Sequence, residues 1–348
     1  MTSLPVLQTT ASAASYRDPA RYARERTSIF GRSWLFMAHT SELQSEGDVV
    51  TATIAGFPLL VVRNGEGIKG FHNVCRHRAG PLMDQDRGNC SGGLVCKYHG
   101  WAYTLDGRLR NARDFGAAAG FDPRNFGLMP LVVETWRNFV FVNADLEAAP
   151  LMTALSPLDR KLGDRKFEHL VHAERRMHDI ACNWKIYVEN YLEGYHIPNV
   201  HPMLNAQVDA QRYEVTVEGA ICFHNSPPRR KDASVYDGVW AFALPHLGVN
   251  SYGEAGVMME RMLPMGPDAT RLVYDYYLPE LVASNEQAKQ RIIETSAIVT
   301  AEDKWICEKV QVNIDAGIYH TGVLSPKHEA GVGWFQKYFS AAIDSRGN

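Results

Sequence analysis

The chain has 348 residues, of which 45% are hydrophobic and 22% charged, and its formal net charge at pH 7 is −3. This is the composition of an ordinary globular protein, and the length predicts two domains. The charge offers no basic surface for nucleic acid, no apolar run approaches the ~20 residues of a membrane span, and no secretory leader is recognisable. We therefore expect a cytoplasmic protein that binds neither nucleic acid nor membranes.

The N-terminal region predicts one helix followed by short strands. Residues 16–36 predict a helix that begins at Asp18-Pro19, because proline is favourable in a first helical turn. From residue 47 the pattern changes to β-branched runs, and residues 138–143 predict a closing strand. Paired turn residues predict hairpins between these strands: Asn64-Gly65, Gly92-Gly93 and Asp106-Gly107. Residues 41–150 are thus predicted to form a small antiparallel β domain.

Two short blocks inside this β region combine thiol and imidazole groups. Cys75 and His77 form the first block, and Cys96 and His99 form the second. A tetrahedral zinc site of two Cys and two His is one interpretation. A zinc finger, however, groups its cysteines together and its histidines together, whereas each block here pairs one of each. The mixed pairing favours a [2Fe–2S] cluster in which two Cys hold one iron and two His hold the other.

The second half of the chain predicts a sheet and a long helix. Residues 153–162 and 334–342 predict short helices, and residues 285–313 a long one. Strand-like runs suggest one antiparallel sheet: 213–223, 257–264 and 270–278. A sheet that wraps over a long helix can enclose a pocket. Four further cysteines are scattered, and we expect free thiols at each: Cys90, Cys182, Cys222 and Cys307.

The segment NWKIYVENYLEGYHIPNVHP, residues 183–202, brings two acids and two histidines close together. On a helix Glu189, Glu193 and His196 would share one face, which is unfavourable unless a cation neutralises the acids. Pro198 is predicted to break the helix before His201, so that both imidazoles can turn to one point. Each histidine alone would favour a hydrogen-bonded core residue. The pair beside acids favours a metal site.

A third ligand is predicted on the long helix. Asp303 falls on one face with Val299, Ile306 and Val310, and an aspartate on an apolar face needs a partner. Two His and one carboxylate with open positions are typical of non-haem Fe(II) oxygenases. Glu302 is expected to point elsewhere, into solvent. A core aspartate that caps another segment is the alternative for Asp303.

Together these motifs resemble the α subunits of Rieske non-haem iron oxygenases. The resemblance covers nearly the whole chain, through these segments: Phe30-x-x-x-Trp34, the two Cys/His blocks with Trp101, Tyr103 and Leu105-Asp106-Gly107, Asn183-Trp184-Lys185, Glu189-Asn190 and Glu193-x-x-His196-x4-His201. It implies an α+β fold, with an antiparallel β Rieske domain of residues 41–150 and a helix-grip catalytic domain of residues 1–40 and 151–348. The implied site residues are Cys75, His77, Cys96 and His99 for the [2Fe–2S] cluster, His196, His201 and Asp303 for mononuclear Fe(II), and Asn190 and Glu193 as catalytic residues.

The residues around Glu193 indicate a branch of this family. Many ring-hydroxylating members carry Asp at that place and one more residue after the Glu-Asn pair. The shorter form with Glu resembles the choline, carnitine and betaine oxygenases, which oxidise quaternary ammonium compounds. The resemblance implies a terminal oxygenase that uses O₂ to hydroxylate a small organic substrate, with N-demethylation or C–N cleavage of a methylammonium.

Two other functions stay open from the sequence. Aromatic ring hydroxylation is the alternative within the family, and a Rieske electron carrier without oxygenase activity is the alternative outside it. A quaternary ammonium would need aromatic faces around its cation. The candidates for such a cage are Tyr187, Tyr191, Trp240, Phe242, Tyr252 and Tyr276.

Electrons must come from a partner protein. The chain contains neither a G-x-G-x-x-G dinucleotide motif nor a Walker-type glycine loop. We therefore expect an NAD(P)H-dependent reductase or a ferredoxin as the electron donor. The resemblance also implies a head-to-tail homotrimer, in which Glu193 accepts hydrogen bonds from His196 and from His99 of the neighbouring subunit.

Overall fold

The structure, a computed structural model, describes residues 6–229 and 238–344. The chain divides into a smaller unit, Phe30–Leu151, and a larger unit, Met1–Ile29 with Met152–Asn348. The predicted β domain of residues 41–150 lies inside the smaller unit, and residues 30–40 group with it as well. Within the described ranges, no helix is both long and apolar enough to cross a membrane.

The described helices and strands alternate irregularly along the chain, as is usual for an α+β protein. The helices are α1 Pro19–Ser28, α2 Leu151–Leu162, α3 Trp184–Tyr191, α4 Ile197–Val200, α5 Pro202–Gln207, α6 Glu280–Ala283, α7 Glu286–Asp315 and α8 Ala330–Asp344. The strands are β1 Gln8–Thr9, β2 Leu35–His39, β3 Asp48–Ile54, β4 Phe57–Asn64, β5 Gly67–His72, β6 Arg87–Asn89, β7 Leu94–Val95, β8 Ala102–Tyr103, β9 Leu109–Asn111, β10 Pro130–Trp136, β11 Phe139–Asn143, β12 Leu170–Ile180, β13 Glu214–Glu218, β14 Ile221–Asn225, β15 Val239–Ala243, β16 Leu247–Ser251, β17 Val257–Gly266, β18 Ala269–Pro279 and β19 Val323–Leu324.

The smaller unit contains a seven-stranded antiparallel sheet in the order β2-β11-β10-β5-β4-β3-β6 and a three-stranded sheet in the order β7-β8-β9. The predicted hairpin at Asn64-Gly65 is confirmed, and the Asn64 side chain accepts a hydrogen bond from the Glu66 amide at 3.1 Å. The hairpin at Asp106-Gly107 is confirmed between β8 and β9. The prediction at Gly92-Gly93 is wrong, because β6 and β7, on its two sides, belong to different sheets.

The predicted helix over residues 16–36 is too long. Helix α1 begins after Asp18, whose carboxylate accepts a hydrogen bond from the Ala20 amide at 2.8 Å, and it ends at Ser28. The chain then makes a short 3₁₀ turn and enters β2, all of whose residues are buried. Because β2 pairs with β11 inside the sheet, tertiary pairing overrides the local helical pattern there.

The larger unit consists of a seven-stranded antiparallel sheet in the order β12-β18-β17-β16-β15-β14-β13 and the 30-residue helix α7. Strand β18 contacts α7 through a hydrogen bond of 2.9 Å between the hydroxyls of Tyr274 and Thr300. The helices predicted at residues 153–162, 285–313 and 334–342 and the α+β class are confirmed. The run 213–223 is not one strand but the hairpin of β13 and β14, and β12, β15 and β16 were not predicted.

A buried ion pair joins α1 to α3 inside the larger unit. The Lys185 ammonium donates to the Glu25 carboxylate at 2.9 Å, and both side chains are 1% exposed. The Trp184 indole donates to the same carboxylate at 3.0 Å, and Arg21 lies 3.4 Å from it. Burial lowers the pKa of Lys185, although the charge of Glu25 opposes that shift. The charge of Lys185 therefore depends on the presence of Glu25.

Removing one partner of this pair is expected to destabilise the larger unit. Lys185→Met leaves Glu25 buried with too few donors, and the free energy of unfolding should fall by about 3 kcal/mol. Urea unfolding followed by circular dichroism measures the loss. The double variant Glu25→Leu/Lys185→Met should recover most of it, and Arg24→Met, on the exposed side of α1, should change stability by less than about 0.5 kcal/mol. An unchanged midpoint for Lys185→Met would contradict the expectation.

Candidate functional site

The two Cys/His blocks form loops of the same backbone design in the smaller unit. The Cys75 carbonyl accepts a hydrogen bond from the Ala79 amide at 3.0 Å, and the Cys96 carbonyl accepts one from the Gly100 amide at 2.9 Å. The residue at this fourth position has a positive φ in both loops, 57° at Ala79 and 73° at Gly100. Each cysteine is thus held by a tight turn, and both are buried in the core of the unit.

The loops bring two imidazoles and two thiols together. The rings of His77 and His99 lie with their centroids 4.6 Å apart, and Trp101 stacks on His77 at 4.9 Å with an interplanar angle of 7°. The Tyr103 hydroxyl lies 3.2 Å from the Cys75 sulfur. The contacts of Trp101 and Tyr103 hold the side chains of the first block. The Cys96 thiol interacts with that of Cys75 and lines one cavity with His77 and His99, so the four predicted residues lie in one region.

This donor set fits an iron–sulfur cluster. Cys75 and Cys96 are free thiols that are 3% and 2% exposed, and Nδ1 of His77 is buried with no hydrogen-bond partner among the described residues. A buried polar atom without a partner is costly unless something else satisfies it. Soft thiolates on one side and imidazole nitrogens on the other match the two kinds of iron ligand in a Rieske cluster.

The larger unit brings together a second group, His196, His201 and Asp303. One ligand atom from each lies within 4.8 Å of the others. The two histidine Nε2 atoms are 3.1 Å apart, and Oδ1 of Asp303 lies 3.0 Å from Nε2 of His201 and 3.6 Å from that of His196. Two imidazole nitrogens and a carboxylate oxygen that converge in this way are suited to a divalent cation.

The histidines are positioned by the end of one helix and the start of another. Helix α3 ends at Tyr191, and His196 caps the next helix, α4, whose C-terminal cap is His201. Pro198 lies in the first turn of α4. The prediction that this proline breaks a helix between the two histidines is therefore wrong. It starts a short one, because a proline lacks the N–H that a first turn leaves unused.

Each histidine is held through its other nitrogen by a carboxylate. Nδ1 of His196 lies 2.5 Å from Glu193, and Nδ1 of His201 lies 2.7 Å from Glu302. A carboxylate at Nδ1 keeps the proton there, which leaves the Nε2 lone pair free to bind a metal. The expectation that Glu302 points into solvent is wrong. Its side chain is 29% exposed and serves the site.

Asn190 and Glu189 have separate environments. The Asn190 amide donates to Oδ1 of Asp303 at 2.6 Å and so orients that carboxylate. Glu189 instead accepts hydrogen bonds from Tyr16 at 2.7 Å and Gln336 at 3.2 Å, and burial raises its pKa to about 7. The prediction that Glu189 shares a helical face with Glu193 and His196 is wrong, because α3 ends before either of those residues.

Asp303 lies on the buried face of α7, but that face is not the predicted one. Val310 is 38% exposed and Ile306 is half-buried. The buried positions near Asp303 are instead Cys307 and Thr300. The buried face of α7 is therefore shifted by about one residue from the predicted apolar stripe and contains more polar residues. A face that contains polar residues is not marked by apolar spacing alone.

The second group opens into a cavity of about 530 Å³. His196, His201 and Asp303 all line it, as do Glu193 and Asn190. Of the six aromatic residues predicted to surround a cation, four line the cavity and Phe242 and Tyr276 do not; the four are Tyr187, Tyr191, Trp240 and Tyr252. Two further tyrosines that were not predicted also line it, Tyr213 and Tyr274.

The same cavity contains a carboxylate that the sequence did not single out. Glu260 lines it from strand β17 and is only 3% exposed. Burial, and then the charge of Asp303, raises the pKa of Glu260 to about 8. The sequence marks this residue only through the charged pair Glu260-Arg261 inside an otherwise apolar strand. Such a pair does not resemble a metal-ligand motif.

Comparisons with known proteins match both units. A model of the Rieske [2Fe–2S] domain matches residues 33–122, and a model of the catalytic domain of ring-hydroxylating α subunits matches residues 167–234 and 224–345. Chloroplastic choline monooxygenase of Beta vulgaris is 30% identical over 92% of this chain and 74% of its own. The carnitine monooxygenase oxygenase subunit of Escherichia coli (strain K12) is 30% identical over 89% of this chain and 85% of its own.

Solved structures agree with these matches. A crystal structure of the quaternary ammonium Rieske monooxygenase CntA with an inhibitor has a TM-score of 0.87 at 26% identity and covers 97% of this chain and 96% of that one. A naphthalene 1,2-dioxygenase shares the fold, with a TM-score of 0.77 at 20% identity. The family resemblance of the sequence is thereby confirmed. The chain belongs to the Rieske non-haem iron oxygenases, and its two units match the Rieske and catalytic domains of their α subunits.

Proposed function

We propose that this oxygenase hydroxylates a small quaternary ammonium compound on a carbon next to the nitrogen. Such a product loses the carbon–nitrogen bond, so that the net reaction is oxidative N-demethylation or C–N cleavage. The observation that carries the proposal is the shared cavity, in which His196, His201 and Asp303 open into a space lined by five tyrosines and a tryptophan. Its relatives act on choline and carnitine, which supports the same substrate class.

The metal ligands are part of this proposal. We assign the [2Fe–2S] cluster to Cys75, His77, Cys96 and His99, and mononuclear Fe(II) to His196, His201 and Asp303. When bound, the cluster supplies single electrons and the ferrous site activates O₂, while the protein provides binding, orientation and electrostatics. The electrons come to the family from a separate reductase. For this chain we propose an NAD(P)H-dependent reductase or a ferredoxin as the donor.

The chain's own residues have three tasks in this reaction. Glu193 and Glu302 hold a proton on Nδ1 of each histidine and so fix the imidazole tautomers. Asn190 donates to Asp303 and limits the rotation of its carboxylate. The aromatic lining excludes water and offers ring faces to a cation that has no N–H with which to donate a hydrogen bond. Aromatic side chains from α3, β15 and β18 contribute to this lining.

Substrate-dependent consumption of O₂ tests the proposal. The purified oxygenase, with a surrogate reductase and NADH, should consume O₂ faster with choline, L-carnitine or γ-butyrobetaine than without substrate, and should release formaldehyde or trimethylamine. Benzoate and naphthalene serve as the aromatic comparison and should cause no increase. Stimulation by the aromatic compounds alone would favour ring hydroxylation. A cluster that is reduced normally while no compound stimulates uptake would favour an electron carrier.

The assignment of Asp303 predicts a selective loss of iron. Asp303→Ala should lower the iron content from about three to about two atoms per chain and abolish substrate oxidation, because the site loses its only anionic ligand. The visible absorbance of the cluster should stay unchanged. Iron analysis together with the absorption spectrum measures both effects on one sample.

Glu302 is the matched control on the same helix. Because Glu302 acts through His201 and is not itself a ligand, Glu302→Gln should keep the iron and lower activity by roughly 10- to 100-fold rather than abolish it. The assignment is wrong if Glu302→Gln loses the iron entirely while Asp303→Ala keeps it.

Assembly is the third part of the proposal. We propose a head-to-tail homotrimer, in which the cluster of one subunit faces the iron site of the next. A ring of heterologous contacts closes when its rotation permits. Glu193, already bonded to His196, would accept a second hydrogen bond from His99 of the neighbouring subunit. Inter-subunit electron transfer is reported for a similar quaternary ammonium Rieske monooxygenase, which supports this arrangement. A cytoplasmic location stays a prediction.

This role for Glu193 predicts a defect in electron delivery. Glu193→Gln should keep both metal centres and the oligomer but slow steady-state turnover by roughly 10- to 100-fold, because the amide cannot accept both hydrogen bonds as the carboxylate does. Rapid-mixing spectroscopy of the reduced variant with substrate and O₂ follows cluster oxidation directly.

Glu189→Gln is the control, since Glu189 lies on the preceding helix and bonds to Tyr16 and Gln336 instead. It should not slow cluster oxidation. A native rate for reduced Glu193→Gln on mixing would show that Glu193 does not link the two centres.

A further inference from the structure

The cavity contains a buried carboxylate that lacks a counter-ion. Glu260 is 3% exposed, and its Oε1 atom has no hydrogen-bond partner within the described residues. Its Oε2 atom receives one long hydrogen bond, from the Asn250 amide at 3.4 Å. A carboxylate removed from water normally has either a cation or several donors around it. Among the described residues Glu260 has no cation beside it, and the donors near it are the Asn250 amide and the hydroxyls of Tyr187 and Tyr274.

The nearest basic residue along the strand is committed elsewhere. Arg261 follows Glu260 directly, and successive side chains of a strand point to opposite faces of the sheet. Arg261 donates to Asp275 at 2.5 Å, and Asp275 also contacts Arg175 at 2.7 Å. No ion pair between described residues includes Glu260. Its raised pKa leaves much of the carboxyl protonated at neutral pH, and a cation that enters the cavity would favour the charged carboxylate form.

Aromatic side chains surround this carboxylate. Tyr191 and Tyr274 line the same cavity as Glu260, and burial, followed by the nearby Glu260 carboxylate, raises the pKa of both. The Tyr191 hydroxyl donates to the Asn250 carbonyl at 2.7 Å, and that of Tyr274 bonds to Thr300. With their hydroxyls engaged in this way, these tyrosines have little to offer a polar neutral ligand.

We infer that Glu260 is the counter-ion for the cationic nitrogen of the substrate, and this inference rests on the proposed function. A quaternary ammonium has no N–H, so only charge and aromatic faces can recognise it. A primary ammonium would need several hydrogen-bond acceptors around its N–H groups. A quaternary ammonium needs only a nearby negative charge, which one carboxylate can supply. With the nitrogen held by Glu260, the attached carbons lie in the cavity that His196, His201 and Asp303 also line.

Two pairs of ligands isolate the charge of the nitrogen. In 3,3-dimethylbutan-1-ol a neutral quaternary carbon replaces the cationic nitrogen of choline. In 5,5-dimethylhexanoate the same replacement is made in γ-butyrobetaine. Binding of each to the metal-loaded enzyme is measured by calorimetry without reductant, so that turnover plays no part. If wild type binds neither cation, the proposed function fails for these substrates, and Glu260 loses its role with it.

Glu260→Gln keeps the shape of the side chain and removes its charge. It should weaken binding of the cation by about 10- to 100-fold, which corresponds to about 1.4–2.8 kcal/mol, and weaken the carbon isostere by less than about threefold. Glu254→Gln, at an exposed position of the turn between β16 and β17, is the matched control and should change neither. An equal loss for cation and isostere, or no loss for either, would overturn the inference.

A second measurement separates recognition from a structural role. Because no cation lies beside Glu260 among the described residues, its carboxyl does not stabilise the ligand-free fold, and Glu260→Gln should unfold at the same temperature as the ligand-free wild type or above it. Addition of the cation should then raise the unfolding temperature of wild type more than that of the variant. If Glu260→Gln does not fold, Glu260→Met, of similar size and without charge, takes its place in both measurements. A variant that is stabilised as strongly as wild type by the cation contradicts the inference.

Discussion

The site of the larger unit depends on three metal-binding side chains that meet at one point. Three side chains from two distant parts of the chain direct His196 Nε2, His201 Nε2 and Asp303 Oδ1 at a common point. Two lone pairs and an anionic oxygen so close together repel one another unless a cation joins them or protons are shared. The surrounding contacts resist that repulsion, since Glu193, Glu302 and the Asn190 amide each hold one of the three groups from behind.

The fold supplies the rigidity that this convergence requires. Asp303 is placed by a 30-residue helix whose buried face contacts the sheet, and both histidines are placed by the caps of one short helix. The ion pair of Glu25 and Lys185 ties α1 to the helix that precedes the histidines. Regular elements position side chains more accurately than loops do. The cluster loops of the smaller unit gain the same accuracy from matching turns with positive φ.

The sequence predicted what depends on residue type and spacing. The Cys/His blocks and the histidine pair are recognisable from residue types at short spacings, and the structure brings the members of each group together. Asp303 was predicted as an acid on a buried helical face, although the buried face differs from the apolar stripe that predicted it. The sequence-based predictions were wrong where a residue's contacts come from distant parts of the chain. Glu302 was expected in solvent because periodicity fixes faces but not partners. The predicted helix of residues 16–36 extended past its end at Ser28 and into β2, because that strand exists only through its pairing with β11.

The carboxylates behind the histidines also determine what happens when the metal leaves. Because Glu193 and Glu302 already orient the two imidazoles, the ligands do not depend on the metal for their positions. The positions of these side chains are therefore set before the metal binds. Removal of the metal should change the site itself and should not unfold the unit. A redox-inert ion such as Zn²⁺ can therefore occupy the same point without reshaping the cavity. With such an ion in place, substrate binding by the cavity can be studied without the reaction with O₂.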